Sequence, residues 1–178
     1  MSNRTLERVL LPDYLDGLDD LPIEGVRAKR TEVQRLEDAV SYLRRLVQAR
    51  IDIVGSEVQA RASGERADIA ALVERLPTTL ADQNSRTTTG RLVSTMAPPE
   101  DIETWASHRV DALSTKFSIG DVPEMSDDEL VEMAEALGAL ERNVSSERRA
   151  LHDRIDRLQA ELIRRYKTGQ ASVEGLLS

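Results

Sequence analysis

The stretch LEDAVSYLRRLVQARIDIV, residues 36–54, carries two helical patterns at once. Its apolar positions extend on both sides into Val33, Leu36, Val40, Leu43, Val47, Ile51, Val54 and Val58, at spacings of 3, 4, 3, 4, 4, 3 and 4. Alternation of three and four is the heptad pattern of a helix that buries one narrow stripe against a partner helix. The doubled four around Val47 is a stutter, which locally unwinds a supercoil. The second pattern is polar: Glu37, Ser41, Arg44, Gln48 and Asp52 fall at steps of 4, 3, 4 and 4. Each follows an apolar seam residue by one position, a rotation of about 100°, so the five line one edge of the seam.

The helical pattern runs from Ile23 to Ala62. At a rise of about 1.5 Å per residue such a helix is roughly 60 Å long, more than one compact domain needs. Gly55 sits inside it at a cost of about 1 kcal/mol relative to Ala, and a weak point is expected there.

A second long helix is expected over 126–168. Ser126 and Glu129 form a capping box. Asp127 and Asp128 suit the positive end of the helix dipole, Arg164, Arg165 and Lys167 suit the negative end, and Gly169 provides a stop. Leu130, Met133, Leu137, Leu140 and Val144 keep the three/four spacing; Leu151, Ile155, Leu158 and Leu162 resume it. Two such seams need cover. The simplest solution is an all-α fold, a long antiparallel coiled-coil hairpin; homodimerisation through the same seams is the alternative.

Between the helices, residues 63–125 hold Gly64, Pro77, Gly90, Pro98, Pro99, Gly120 and Pro123, with a Thr- and Ser-rich run. They read as a partly helical connector, with short helices at 66–76 and near 100–114. Residues 1–22, punctuated by Pro12, Gly17 and Pro22, read as a tether with one short helix, and 169–178 as a C-terminal tail.

Composition narrows the class. Of 178 residues 31% are charged and only 3% aromatic, which fits long helices with aliphatic seams. The absence of cysteine excludes disulfides and Cys-based zinc sites, and two histidines, His108 and His152, make a His-rich metal site unexpected. No leader or membrane span is visible, so a cytoplasmic protein without membrane contact is expected. A net charge of −8 argues against direct DNA binding, because affinity for DNA comes largely from neutralising phosphates. No nucleophile–base set and no phosphate loop suggests an enzyme.

Shifting the second helix onto the first by 104 residues places LERNVSSERRALHDRIDRL, 140–158, over residues 36–54, with nine of nineteen positions identical. Seam registry accounts for the Leu, Val and Ile matches but not for Glu, Ser and Asp at equal offsets. The second polar line is therefore Glu141, Ser145, Arg148, His152 and Asp156, with Glu147 replacing the seam residue Leu43. In an in-register hairpin the two copies, centred near 44 and 148, come side by side about a pseudo-twofold axis, and ten polar residues form one surface. Arg offers a planar fork for phosphate or a guanine O6/N7 edge. Ionised Asp and Glu accept only, which suits the N1–H and N2–H₂ donors of guanine; a two-fold surface suits a cyclic dinucleotide.

The pattern E-x3-S-x2-R-x3-Q-x3-D, twice in one helical hairpin, resembles the RsiG-type anti-sigma factors of actinobacteria. Glu37, Ser41, Arg44, Gln48 and Asp52 match the first copy completely; Glu141, Ser145, Arg148 and Asp156 match the second, where His152 stands in place of Gln. The resemblance implies binding of cyclic di-GMP as a regulatory ligand, two molecules in one two-fold site, and sequestration of a WhiG-type sporulation sigma factor from RNA polymerase. It implies no metal and no catalysis, and the free protein is expected to be a monomer. The competing reading is a ligand-free coiled-coil adaptor or homodimerising scaffold, whose polar edge is merely solvated.

Overall fold

The computed structural model describes residues 2–64, 99–112 and 118–168. The helix expected at 66–76, most of the Thr- and Ser-rich connector, the stop at Gly169 and the tail lie outside them. Among the described residues every regular element is helical: α1 (Asn3–Leu10), α2 (Ile23–Ser63), α3 (Glu100–Asp111) and α4 (Asp127–Lys167), with 3-10 turns at Pro12–Leu15, Leu18–Asp20 and Ile119–Glu124. The fold is the expected helical hairpin of α2 and α4, each 41 residues long. No helix among the described residues is long and apolar enough to cross a membrane. The chain divides into two compact units, Met1–Val40 with Ser146–Ser178, and Ser41–Ser145, so α2 and α4 each contribute to both.

In the first unit α2 and α4 are antiparallel, with Arg27 donating to the Tyr166 hydroxyl and Glu37 meeting Arg148. The core consists of Val26, Val33, Leu36, Ala39 and Val40 with Leu151, Leu158 and Leu162. The N-terminal segment packs through its apolar residues. Ser2 caps α1 by accepting from the Thr5 amide at 3.3 Å, and Leu6, Val9, Tyr14 and Leu15 are all buried. Gly17 takes φ of +67°, a left-handed turn that glycine adopts without strain. Arginines of α4 then hold the segment by its carbonyls. Arg154 Nη2 donates to Leu10 and Leu11 at 2.7 and 3.1 Å, and Arg165 Nη2 to Leu18 at 2.7 Å. The Tyr14 hydroxyl donates to Glu32 at 2.9 Å, and Lys29 lies 4.0 Å from its ring centroid. Burial, with the Glu32 carboxylate beside it, pushes the Tyr14 phenol well above its ordinary range. The acidic run remains largely in solvent, with Asp13, Asp16, Asp19 and Asp20 exposed; Asp19 pairs with Arg164 at 3.0 Å.

In the second unit α2 and α4 are again antiparallel: Arg44 meets Glu141, and Arg61 meets Asp127 at 2.8 Å. Leu43, Val47 and Val54 from α2 are buried, as are Leu130, Met133, Leu137 and Val144 from α4. The seam departs from the expected one beyond the stutter. Val58 is 47% exposed, while Ile53 and Glu57 are buried in its place. Ile51 is half-buried, as are Leu140 and Ile155 on α4. Two successive four-residue steps advance the stripe around the helix, so burial passes to the residues that come round behind it. Glu57 tolerates burial because Arg61 Nε donates to it at 2.7 Å. Gly55 does not interrupt α2, which is helical throughout.

The helix expected near 100–114 is α3. Its first turn is acidic, with Glu100, Asp101 and Glu103, which favours the helix dipole. Ile102, Trp105, Ala106 and Val110 are buried, and His108 is exposed. Arg50 ties α3 to α2 through Asp111 at 3.4 Å. The capping box forms: the Glu129 amide donates to Ser126 Oγ at 3.3 Å, and the Ser126 amide donates to the Glu129 carboxylate at 2.8 Å.

Two predictions follow from this packing. Leu43 is fully buried, and replacing it by Ala should cost about 2–5 kcal/mol, read by chemical denaturation; a loss below about 1 kcal/mol would show that the seam does not hold the fold. Glu161 is buried beside Arg164 and Arg165. Hydrogen bonds from Arg164 and then Arg165 outweigh desolvation and hold its carboxyl down to about 2. A depressed carboxyl stabilises fully above the ordinary glutamate range, near about 4.3, and the contribution fades as pH falls towards the folded value. Glu161→Gln should therefore melt below wild type at neutral pH, and the gap should close between about pH 5 and about pH 2. A gap independent of pH would contradict the linkage.

Candidate functional site

The ten motif residues divide between the units: Glu37, Arg148, His152 and Asp156 lie in the first, and Ser41, Arg44, Gln48, Asp52, Glu141 and Ser145 in the second. Their placement follows from helical phase. Each stands one residue after a seam position, so a buried seam leaves it at the margin of the helix pair, partly covered by the opposite helix.

In the second unit Arg44 reaches from α2 to α4. Its Nε donates to Glu141 Oε1 at 3.1 Å and to Ser145 Oγ at 2.8 Å. Ser145 Oγ in turn donates to the same Glu141 oxygen at 2.8 Å, which closes a three-membered cluster. Ser41 and Gln48 are half-buried on the same edge of α2, and Asp52 is exposed. The carboxylate of Asp52 makes no ion pair among the described residues; the hydroxyl of Ser56 donates to its main-chain carbonyl at 2.8 Å.

In the first unit the reach is reversed. Arg148 Nε on α4 donates to Glu37 Oε1 on α2 at 3.0 Å. His152 Nε2 lies 3.1 Å from the same oxygen, an ion pair when the imidazole is protonated. Glu37 is buried, with a side-chain exposure of 9%, whereas its counterpart Glu141 has 24%. Histidine therefore engages the glutamate on the facing helix, a role that the corresponding Gln48 does not take among the described residues. Asp156 is exposed.

Sequence reasoning placed these residues on one edge but did not pair them. It also missed Gln34, whose Nε2 donates to Asp38 at 3.1 Å and to Glu37 at 3.4 Å; the three- and four-residue spacings were the available signal. Arg45 lies 5.7 Å from the Tyr42 ring centroid, a cation–π distance. Arg149 and Asp153, four residues apart on α4, form no ion pair, and both side chains are exposed. Among the described residues no group of His, Asp and Glu is gathered as a metal site.

In each unit the margin of the helix pair thus carries a guanidinium group paired with a carboxylate of the facing helix. A family profile described as RsiG-like matches residues 12–80 and 118–178, and the chain belongs to this family. The family is one of anti-sigma factors, regulatory rather than catalytic, which implies a sigma factor as partner. No curated protein matches the chain.

Proposed function

We propose that the chain is a cyclic di-GMP-dependent anti-sigma factor, which in its nucleotide-loaded form sequesters a WhiG-type sporulation sigma factor from RNA polymerase. It acts in the cytoplasm, is a monomer when free, and takes two nucleotide molecules. The observation that supports this reading best is the reciprocal pairing. Arg44 of the first copy is held by Glu141 and Ser145 of the second, and Arg148 of the second by Glu37 of the first. The residues that meet across the helix pair are thus members of the repeated motif in both directions.

The chemistry fits a guanine nucleotide. Arg44 and Arg148 supply forks for phosphate or for a guanine O6/N7 edge. Asp52 and Asp156, exposed acceptors, suit guanine N1–H and N2–H₂. Ser41, Ser145 and Gln48 reach phosphate or sugar oxygens, and His152 offers a shorter reach than the Gln whose position it fills. Regulation is then ligand-gated association: a nucleotide bound more tightly by the hairpin with its partner than by the hairpin alone raises the affinity of the two proteins by the same factor.

The test is capture of a WhiG-type sigma factor by the full chain with and without cyclic di-GMP, alongside calorimetric titration of the nucleotide. Capture should require nucleotide, and Asp52→Ala with Asp156→Ala should weaken ternary assembly at least about tenfold, roughly 1.4 kcal/mol. If the double variant assembles like wild type, the site assignment is wrong. If nucleotide changes nothing, the ligand-free adaptor is the better reading.

A further inference from the structure

In the second unit the Arg44 guanidinium is gripped at one end. Its Nε serves both Glu141 Oε1 and Ser145 Oγ, at 3.1 and 2.8 Å. The terminal nitrogens, Nη1 and Nη2, make no hydrogen bond among the described residues, and the side chain is 34% exposed. A guanidinium is a rigid plane, so fixing Nε fixes the direction of the terminal edge. Glu141, by contrast, has one oxygen taken by two donors, Arg44 Nε and the Ser145 hydroxyl. In the first unit Glu37 is spent in the same way. It is buried, and one of its oxygens meets both Arg148 Nε and His152 Nε2, at 3.0 and 3.1 Å.

We propose that the two motif glutamates are positioning residues: Glu141, with Ser145, aims the terminal edge of Arg44 at the nucleotide, and Glu37 holds Arg148, while neither glutamate reads the nucleotide itself. The inference rests on the nucleotide-binding function proposed above and reassigns two of the direct contacts that the motif suggests. Glu37 is buried, and the Glu141 oxygen nearest Arg44 already accepts two hydrogen bonds, so a guanine donor at either place would compete with bonds already made. Each glutamate also stands where an anionic ligand approaches, a place that a carboxylate can occupy without repulsion only while a guanidinium neutralises it.

That charge relation gives the test its sign. The affinity of cyclic di-GMP for the full chain together with the sigma factor is measured by calorimetry for wild type, Arg44→Ala, Glu141→Ala, the double variant and Glu141→Gln. Residues in direct contact couple, and a double-mutant cycle measures the coupling. Glu141→Ala should weaken binding about tenfold in the wild-type background and leave it equal or tighter in the Arg44→Ala background, where a lone carboxylate would face the phosphates. Glu141→Gln keeps an oxygen for Arg44 Nε and should stay within about threefold of wild type. If the two alanine effects multiply, or if Gln is as poor as Ala, Glu141 contacts the nucleotide directly and the positioning role is wrong while nucleotide binding stands. If wild type binds no cyclic di-GMP, both readings fail. Melting curves exclude loss of fold as the cause, since both positions are only half-buried.

Discussion

The aliphatic seam between α2 and α4 is the constraint on which the rest depends. Two helices of 41 residues each with few aromatics cannot form a thick core, so they bury narrow lines of Leu, Val and Ile along their length. Each such side chain contributes about 1.5–3 kcal/mol when fully withdrawn from water. Sliding one helix by a turn would move every apolar side chain out of its hole, so the seam also sets register. Register decides which polar side chains at the margin meet across the pair. Arg44 finds Glu141 and Arg148 finds Glu37 because the aliphatic residues beside them are already matched.

Arginine does two kinds of work on this scaffold. Arg165 is buried, and Arg154 half-buried; both are consumed by main-chain carbonyls of the N-terminal segment. They give carbonyls at the turns of this segment charge-assisted hydrogen bonds, which are stronger than neutral ones. Arg61 does the same for the turn before α4, reaching Val122 and Pro123 as well as Asp127. Arg44 and Arg148 are half-exposed and face side-chain carboxylates. Surface ion pairs of that kind add about 0–1 kcal/mol to stability, so their worth lies in orientation rather than in holding the helices together. A chain of net charge −8 thus places these guanidinium groups at fixed points.

The heptad spacing made α2 and α4 legible, because a buried stripe on a helix is a local property of one segment. The capping box at Ser126 was legible for the same reason. The exchange of Val58 for Ile53 and Glu57 was not, since a stutter shows where the stripe drifts but not which neighbour receives it. The packing of the N-terminal segment was not legible: its apolar residues are few and its turns irregular, and nothing local shows that α4 arginines from more than 140 positions away hold its carbonyls.

The sequence alone determined two amphipathic helices, their seams, and a repeated polar line one residue behind each seam, because all of these follow from the helical period. The tertiary structure decided which member of each line serves which. It gave the arginine of one copy to the glutamate of the other, seated Ser145 inside one cluster and His152 against Glu37, and left Asp52 and Asp156 exposed to solvent. The physical reason is that pairing across helices depends on register and on how deeply each margin is covered. Both are set by burial between residues about a hundred positions apart, which no single segment encodes.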